Sequence, residues 1–98
     1  MNDKDESPVR NTRKWYVYVL QNKDLKWYIG STCNLRKRIL KHNSRENKST
    51  KYGVSWKLIY CEININQQDA RARERYLKSG MGRRYLKNRL KFFFDKGF

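Results

Sequence analysis

Residues 15–43 read WYVYVLQNKDLKWYIGSTCNLRKRILKHN, and this segment determines most of the fold. Its first part, 15–21, is rich in aromatic and β-branched residues, which favours a strand with Tyr18 on one face. The polar residues NKD then form a turn, and a second strand carrying Tyr28 runs to Gly30, so a β-hairpin is predicted. Because the two strands are neighbours, both phenols can point to one place on the sheet.

Further elements are predicted after the hairpin. Apolar residues at helical spacing favour an amphipathic helix over about 34–43, and a polar, basic loop follows over 44–53. The alternation in SWKLIYCEIN favours a third strand over 55–64. We expect a helix over about 66–79, capped by its asparagine and ended by a glycine, and a last helix over 83–94.

These elements follow the order ββα, loop, βαα. That order predicts an α/β protein of the α+β type, in which helices flank a small three-stranded antiparallel sheet. The 98 residues suffice for one small domain, which we place at 14–95. Residues 1–13 are polar, contain a proline and lack periodicity, so we expect a disordered leader there.

The chain is strongly basic, with 24 lysines and arginines, nine acidic residues and a net charge of +15 at pH 7. Such a charge attracts polyanions, of which nucleic acid is the first candidate and an anionic membrane surface the second. Only the tail LKNRLKFFFDKGF faintly resembles a membrane-binding amphipathic helix. Solubility alone requires a net charge of only about 2–8 in a small domain. We therefore expect a nucleic-acid partner and no membrane.

The remaining composition excludes several classes of protein. No apolar run approaches the roughly 20 residues of a membrane span, and the N-terminus lacks the pattern of a secretory signal. We therefore expect a cytoplasmic protein. The two cysteines lack CxxC spacing, and a single histidine gives no zinc-ligand pattern. Reduced thiols are the expectation.

Tyr18 and Tyr28 are the first candidates for chemistry. Most strand tyrosines simply pack their rings and leave the hydroxyl at the rim, so either phenol alone is weak evidence. The hairpin strengthens the functional interpretation, because it aims both at one spot. A phenol with a pKa near 10 is a poor base at pH 7, so Tyr18 could act as a general base only if neighbouring positive charge lowered its pKa.

The first helix carries two more candidates. Arg38 lies beside the apolar stripe formed by Leu35 and Ile39, so it points partly inward, where a guanidinium can hold a phosphate by paired hydrogen bonds. His42 follows one turn later on the same side. Two interpretations of His42 stay open: a catalytic imidazole, or a residue favoured at a helix C-terminus by the helix dipole.

Glu74 is the outstanding carboxylate in the sequence ARARERYLKS. It can simply pair with Lys78 four residues later, for a few tenths of a kcal/mol. It also shares a helix face with Ala70 and Leu77, which should turn it inward, and an inward carboxylate in so basic a chain suggests a metal ligand. One carboxylate together with phosphate oxygens and waters is a normal Mg²⁺ environment. Glu62 is the rival for this role.

The ordered series YVY, YIG, ST, NLRKRILKHN, WKLIY and ARARERYLKSG resembles the GIY-YIG nuclease family over about residues 15–90. The chain looks most like the small stand-alone bacterial proteins related to the N-terminal nuclease domain of the bacterial repair excinuclease. Two features depart from the wider family: Tyr16 stands where the first tripeptide usually opens with glycine, and nothing resembles an attached DNA-binding domain.

The resemblance implies an endonuclease that hydrolyses phosphodiester bonds in DNA, including structured or single-stranded DNA, with Mg²⁺ or Mn²⁺, in repair or recombination. The implied catalytic set is Tyr18, Tyr28, Arg38, His42 and Glu74, with Glu74 as the metal ligand. In this interpretation Tyr18 is the general base or a water-orienting group, and Arg38 and the metal lower its pKa. Tyr28 and His42 orient water or phosphate, or share in the proton transfer. Protein partners are left unknown.

A basic surface is expected to contact the nucleic-acid backbone. Its predicted members are Lys41, Arg45, Lys48, Lys51, Arg71, Arg73, Arg83, Arg84, Lys87 and Lys91, together with Asn88, which resembles a late asparagine near the active site of the excinuclease branch. Two alternatives stay open. One is a non-catalytic nucleic-acid-binding module with the same fold, and the other is a basic protein that coats RNA and stacks its tyrosines on bases.

Overall fold

The computed structural model describes residues 13–44 and 55–95. These ranges form β1 (Trp15–Gln21), β2 (Trp27–Thr32), α1 (Leu35–Asn43), β3 (Lys57–Asn64), α2 (Gln67–Lys78), α3 (Gly80–Arg89) and α4 (Lys91–Asp95). The strands make one antiparallel sheet in the order β2-β1-β3. The predicted fold class and order of elements are confirmed. The predicted leader and the basic loop fall almost entirely outside the described residues.

Two predicted boundaries were wrong. Strand β2 continues past Gly30 to Thr32. The last helix begins at Gly80 rather than after Gly82, because Ser79 ends α2 and its hydroxyl also accepts the backbone N–H of Gly82 at 3.1 Å as the N-cap of α3. The expected single helix is interrupted at Leu90, after which α4 begins.

Strand β1 is the centre of the molecule, because it is covered on both faces. On one face Val17 and Val19 pack with Ile29 and with residues of α2 and α3. On the other face Tyr18 and Leu20 pack with Trp56, and the apolar stripe of α1 covers them. Full burial of each such aliphatic side chain contributes roughly 1.5–3 kcal/mol. The two helical layers therefore fix which residues of the hairpin face α1 and which face α2.

The turn of the hairpin is held by Asn22. Its side-chain oxygen accepts the backbone N–H groups of Asp24 at 2.9 Å and of Lys26 at 3.0 Å. This arrangement sets the register in which Tyr18 lies directly opposite Gly30. Among the helices of the described residues, none is long and apolar enough to cross a membrane.

Candidate active site

Tyr18 of β1 and His42 of α1 form a buried pair between the strand and the helix. Both side chains are fully buried, and the Tyr18 hydroxyl lies 3.0 Å from His42 Nε2. Burial lowers the pKa of His42, and the positive charge of Arg38 lowers it further. The imidazole is therefore neutral at pH 7, and its Nε2 can accept the phenolic proton of Tyr18 in a hydrogen bond.

Arg38 acts on the same hydroxyl. Burial raises the pKa of Tyr18 to about 12, with a further increase from Tyr28, while the charge of Arg38 and a hydrogen bond from it oppose the rise. Arg38 thus lowers this pKa, as expected, but in the protein without a metal burial outweighs the guanidinium. Tyr18 is a protonated phenol at neutral pH, placed between a cationic donor and a neutral acceptor.

Gly30 makes room for the Tyr18 ring. A Cβ at this position would lie 2.6 Å from the Tyr18 hydroxyl oxygen and 2.9 Å from the ring carbon that bears it. Normal contacts to a Cβ are at least about 3.4 Å, so any side chain here would displace the phenol. A glycine is therefore needed at the end of the Tyr28-Ile29-Gly30 tripeptide, because the Tyr18 ring leaves no space for a side chain there.

Tyr28 is the more accessible of the two phenols. It lies on the same face as Tyr18 but remains partly exposed. The centroid of its ring is 4.5 Å from that of His42 and 6.4 Å from that of Tyr18, and it meets Trp56 edge to face. The hairpin therefore does bring both phenols to one place, beside the imidazole.

Asn43 fixes the end of α1, a role that the sequence analysis missed. Its side chain accepts the backbone N–H of Trp56 at 2.7 Å and donates to the carbonyl oxygen of Trp56 at 3.1 Å. These paired bonds tie α1 to the start of β3 and so position the neighbouring His42. The residue was hard to find in advance, because a polar residue at a helix end is usually read as a simple terminator.

Glu74 lies on the opposite side of the sheet, where α2 packs on β2. Its side chain is 21% exposed, its Oε1 accepts the hydroxyl of Ser31 at 2.7 Å, and its Oε2 pairs with Lys78 Nζ at 2.8 Å. Ser31 follows Gly30 in β2, and the charge of Glu74 reaches Tyr18 as a small upward contribution to its pKa. The two halves of the site thus meet at the edge strand around Gly30.

The donor set around Glu74 is a single carboxylate held by a hydroxyl. Within the described ranges no three His, Cys, Asp or Glu side chains form a metal-binding group. A dedicated zinc or calcium cage is therefore not built there. One carboxylate, held in place by the Ser31 hydroxyl, matches the Mg²⁺ pattern in which phosphate oxygens and waters complete the coordination. Lys78 is 52% exposed on its flexible stem and can leave the carboxylate.

Glu62 is already fully engaged. Both of its oxygens accept hydrogen bonds from Arg73 at 2.9 Å, and Oε2 also accepts the hydroxyl of Tyr60 at 2.6 Å. Burial would raise the pKa of Glu62, but the hydrogen bonds from Arg73 and Tyr60 and the charge of Arg73 together hold it below its usual range. Its partner Arg73 also lies over the rings of Tyr76 and Tyr85.

Most of the predicted phosphate-binding residues that the structure describes lie at the surface. The exposed members are Lys41, Arg71, Arg83, Arg84, Lys87, Asn88 and Lys91. Arg73 differs from them, because it is committed to Glu62. Arg45, Lys48 and Lys51 lie outside the described residues.

The sequence of this chain is similar to those of several known proteins. Curated relatives include a UPF0213 protein of Clostridium perfringens, 44% identical over 64% of this chain and 69% of that protein. A UPF0213 protein of Streptococcus pneumoniae is 38% identical over 66% of this chain and 67% of its own. A solved UPF0213 protein of Bacillus halodurans is 29% identical with a TM-score of 0.49, covering 76% of this chain and 83% of its own.

The family model for the GIY-YIG catalytic domain matches residues 14–94, and the relatives are small proteins of one kind. This family of nucleases generally uses divalent metals, and its activity implies a nucleic-acid substrate. The chain therefore belongs to the GIY-YIG nuclease domain family, which implies endonuclease activity.

Proposed function

We propose that this protein is a divalent-metal-dependent endonuclease that hydrolyses phosphodiester bonds in DNA. One observation carries the proposal: the hairpin and α1 bring Tyr18, Tyr28, Arg38 and His42 together, and the charge of Glu74 reaches this cluster from the other side of β2. Tyr18 and His42 are fully buried, and buried polar groups cost stability unless they are paired. Their concentration in a chain of net charge +15 supports a site for a phosphate.

In this mechanism water attacks the phosphorus, and the bond to the leaving 3′ or 5′ oxygen breaks. Arg38 binds the phosphate through its planar guanidinium and stabilises the charge that develops on it. Tyr28, the partly exposed phenol, orients the attacking water. The Tyr18–His42 pair is the acceptor for the proton that the water loses, because the neutral His42 Nε2 lies at 3.0 Å from the Tyr18 oxygen.

We assign different roles to Tyr18 and Tyr28 because they differ in burial. Tyr18 has no exposed surface, and its pKa of about 12 keeps it protonated, so it does not remove a proton unaided. For Tyr18 to take a proton from the water while passing its own proton to His42, substrate binding must open a path to the Tyr18 hydroxyl, which has no exposed surface in the free protein.

Glu74 would hold the metal, with Ser31 fixing the orientation of the carboxylate. Mg²⁺ or Mn²⁺ bound there would supply positive charge to the phosphate oxygens. Lys78 must release Oε2 for this to happen. An exposed lysine–carboxylate pair of this kind contributes only about 0.3–0.5 kcal/mol on a helix, so a bound cation can displace it.

The same lysine favours a second candidate function, a nucleic-acid-binding module without turnover. Both oxygens of Glu74 have hydrogen-bond partners, and the Lys78 ammonium occupies the place where a cation would bind. If Lys78 kept that place in the nucleic-acid complex, the protein would bind DNA and not cleave it. Dependence of cleavage on added metal separates the two functions.

The test is plasmid nicking with Mg²⁺ or with EDTA, for the wild type and for Glu74→Gln. We expect nicking by the wild type in Mg²⁺ and a loss of at least roughly 100-fold in the variant, because a neutral amide is a poor ligand for a hard cation. Binding measured by gel shift in EDTA should hold or rise, since a negative charge has been removed from a basic surface.

Asp69→Asn is the matched control, because it removes one carboxylate from the first turn of the same helix. It should nick DNA like the wild type. If Glu74→Gln also nicks at the wild-type rate, Glu74 does not hold the metal. If neither wild type nor control nicks DNA in Mg²⁺ or Mn²⁺ while both bind it, the non-catalytic function is the correct one. A parallel RNA substrate tests the choice of DNA.

A further inference from the structure

A groove lies at the hairpin end of the molecule, away from the Tyr18 cluster. It has a volume of about 970 Å³ and runs between the start of β2 and helices α3 and α4. Trp27 and Phe94 form one wall, with ring centroids 5.7 Å apart and planes within 22° of each other. Ligand sites usually occupy about 300–1,000 Å³, so the groove can hold a nucleoside.

Cations surround this aromatic wall. Arg83, Lys87 and Lys91 line the groove and are exposed, and the Arg83 guanidinium lies 5.8 Å from the centroid of the Trp27 ring. Asp95 is the acidic residue among the lining side chains. Three helical cations beside two stacked rings suit a ligand that is flat and apolar at one end and anionic at the other. An unpaired nucleotide has that form, with its base and its phosphate.

The wall is held rigid by its neighbours. Trp27 donates its indole N–H to Gln21 at 2.8 Å, and Gln21 is buried. A preformed aromatic surface loses little conformational entropy when a base stacks on it. Phe94 is partly exposed on α4, so some of the wall faces the groove.

We propose that this groove binds an unstacked base of the same single strand of nucleic acid that is cleaved at the Tyr18 cluster. The base packs on the wall formed by Trp27 and Phe94, and Arg83 and Lys87 hold the adjoining phosphates. Trp27 begins β2 and Ser31, the partner of Glu74, lies four residues along it. At about 3.3 Å per residue the separation is roughly 13 Å, so one strand can contact both places.

This inference rests on the proposed function, because it names the form of its substrate. It makes single-stranded or gapped DNA the preferred ligand over intact duplex, in which no base is free to stack. An anionic membrane surface is the competing ligand for a basic, aromatic groove. The concave shape of the groove favours a single nucleotide over a flat bilayer.

The test measures binding of the full chain to fluorescein-labelled oligo-dT in EDTA, so that cleavage plays no part. Arg83→Gln with Lys87→Gln should weaken binding to oligo-dT by roughly tenfold and binding to a duplex of the same length by much less. The control is Arg75→Gln with Arg89→Gln, which removes the same charge from exposed positions outside the groove. An equal loss in both double variants would overturn the inference, since charge alone would then explain it.

A second measurement tests stacking directly. Replacing bases of the oligonucleotide by abasic spacers should weaken wild-type binding by roughly tenfold and change binding by Phe94→Leu little. Trp27→Phe keeps an aromatic wall and should retain the preference for strands that carry bases. This variant shows whether a change in the wall by itself unfolds the protein. If the wild type binds abasic and base-containing strands equally, or binds anionic vesicles in preference to oligo-dT, the groove is not a base site. If the wild type nicks DNA but the groove variants bind oligo-dT as well as the wild type does, the inference about the groove is refuted and the proposed endonuclease function is not.

Discussion

Gly30→Ala tests the packing on which the proposed site depends. The added methyl carbon would lie 2.6 Å from the Tyr18 hydroxyl oxygen and 2.9 Å from the carbon that bears it. The backbone of Gly30 has no left-handed φ, so alanine fits the strand conformation and the cost is steric. Tyr18 is fully buried and cannot move into solvent without breaking its bond to His42.

Two terms set the expected loss of stability. Overpacking of a buried site costs about 1–3 kcal/mol. Loss of the buried hydrogen bond between the Tyr18 hydroxyl and His42 Nε2 costs about 1–3 kcal/mol more. The total of about 2–6 kcal/mol is a large part of the roughly 5–15 kcal/mol by which domains are stable. At about 4–8 °C per kcal/mol for a domain of this size, Tm should fall by at least about 8 °C.

The assay is urea denaturation followed by circular dichroism. The control is Gly80→Ala at the start of α3, where an added Cβ meets nothing within 4 Å. That variant should change the free energy of unfolding by no more than about 1 kcal/mol, and should favour the helix. If Gly30→Ala is within about 0.5 kcal/mol of this control, the Tyr18 ring does not pack against Gly30 and the reasoning fails.

A double-mutant cycle sharpens the test. Tyr18→Phe removes the oxygen at 2.6 Å and leaves the ring carbon at 2.9 Å. Gly30→Ala should therefore be less costly in the Tyr18→Phe background, by about 1 kcal/mol or more, and still not neutral. Equal costs in both backgrounds would show that the hydroxyl is not the obstructing group.

Three further predictions concern Arg38, the charge of the chain and His42. Arg38→Lys keeps the charge but loses the planar guanidinium, so the rate of nicking in Mg²⁺ should fall at least roughly tenfold, which is a loss of about 1.4 kcal/mol of transition-state stabilisation. A wild-type rate would show that charge alone suffices. Affinity for duplex DNA should decrease with salt by ~0.9 in log K per phosphate neutralised, and a salt-insensitive complex in a titration would contradict phosphate-dominated binding. The pKa of His42 is lower in the folded protein than in the unfolded chain, so the imidazole binds a proton more readily in the unfolded chain. The free energy of unfolding should therefore decrease as the pH falls below about 6.5. His42→Asn should remove that part of the pH dependence in urea titrations, and an unchanged slope would assign it to other groups.

The hairpin could be predicted well because its signals are local. Alternation along 15–21 and the polar turn fix which side chains share a face, and the structure places Tyr18, Leu20 and Tyr28 together as expected. The pKa of Tyr18 could not be predicted in the same way. It depends on how completely α1 covers the phenol, and burial is a property of the whole fold rather than of neighbours in the sequence.

Contacts between distant residues explain the other misses. The bond from Ser31 to Glu74 joins positions 43 residues apart, so no local pattern indicates it. The start of α3 was misplaced because glycine after a helix is usually a stop signal. Here Ser79 caps both helices, and Gly82 lies within α3 where a side chain would collide with the backbone of Tyr76 and Leu77.

Glu62 and Glu74 differ in how easily each could give up its present partner for a metal. Both are inward carboxylates with about one fifth of the side chain exposed. Glu62 accepts two parallel hydrogen bonds from the guanidinium of Arg73 and a third from the Tyr60 hydroxyl. Separating this part-buried ion pair would leave two charges without partners, at a cost of several kcal/mol. Glu74 gives up only an exposed lysine, for a few tenths of a kcal/mol. Since the two carboxylates are equally buried, the strength of the competing cation decides which of them is more readily available to a metal.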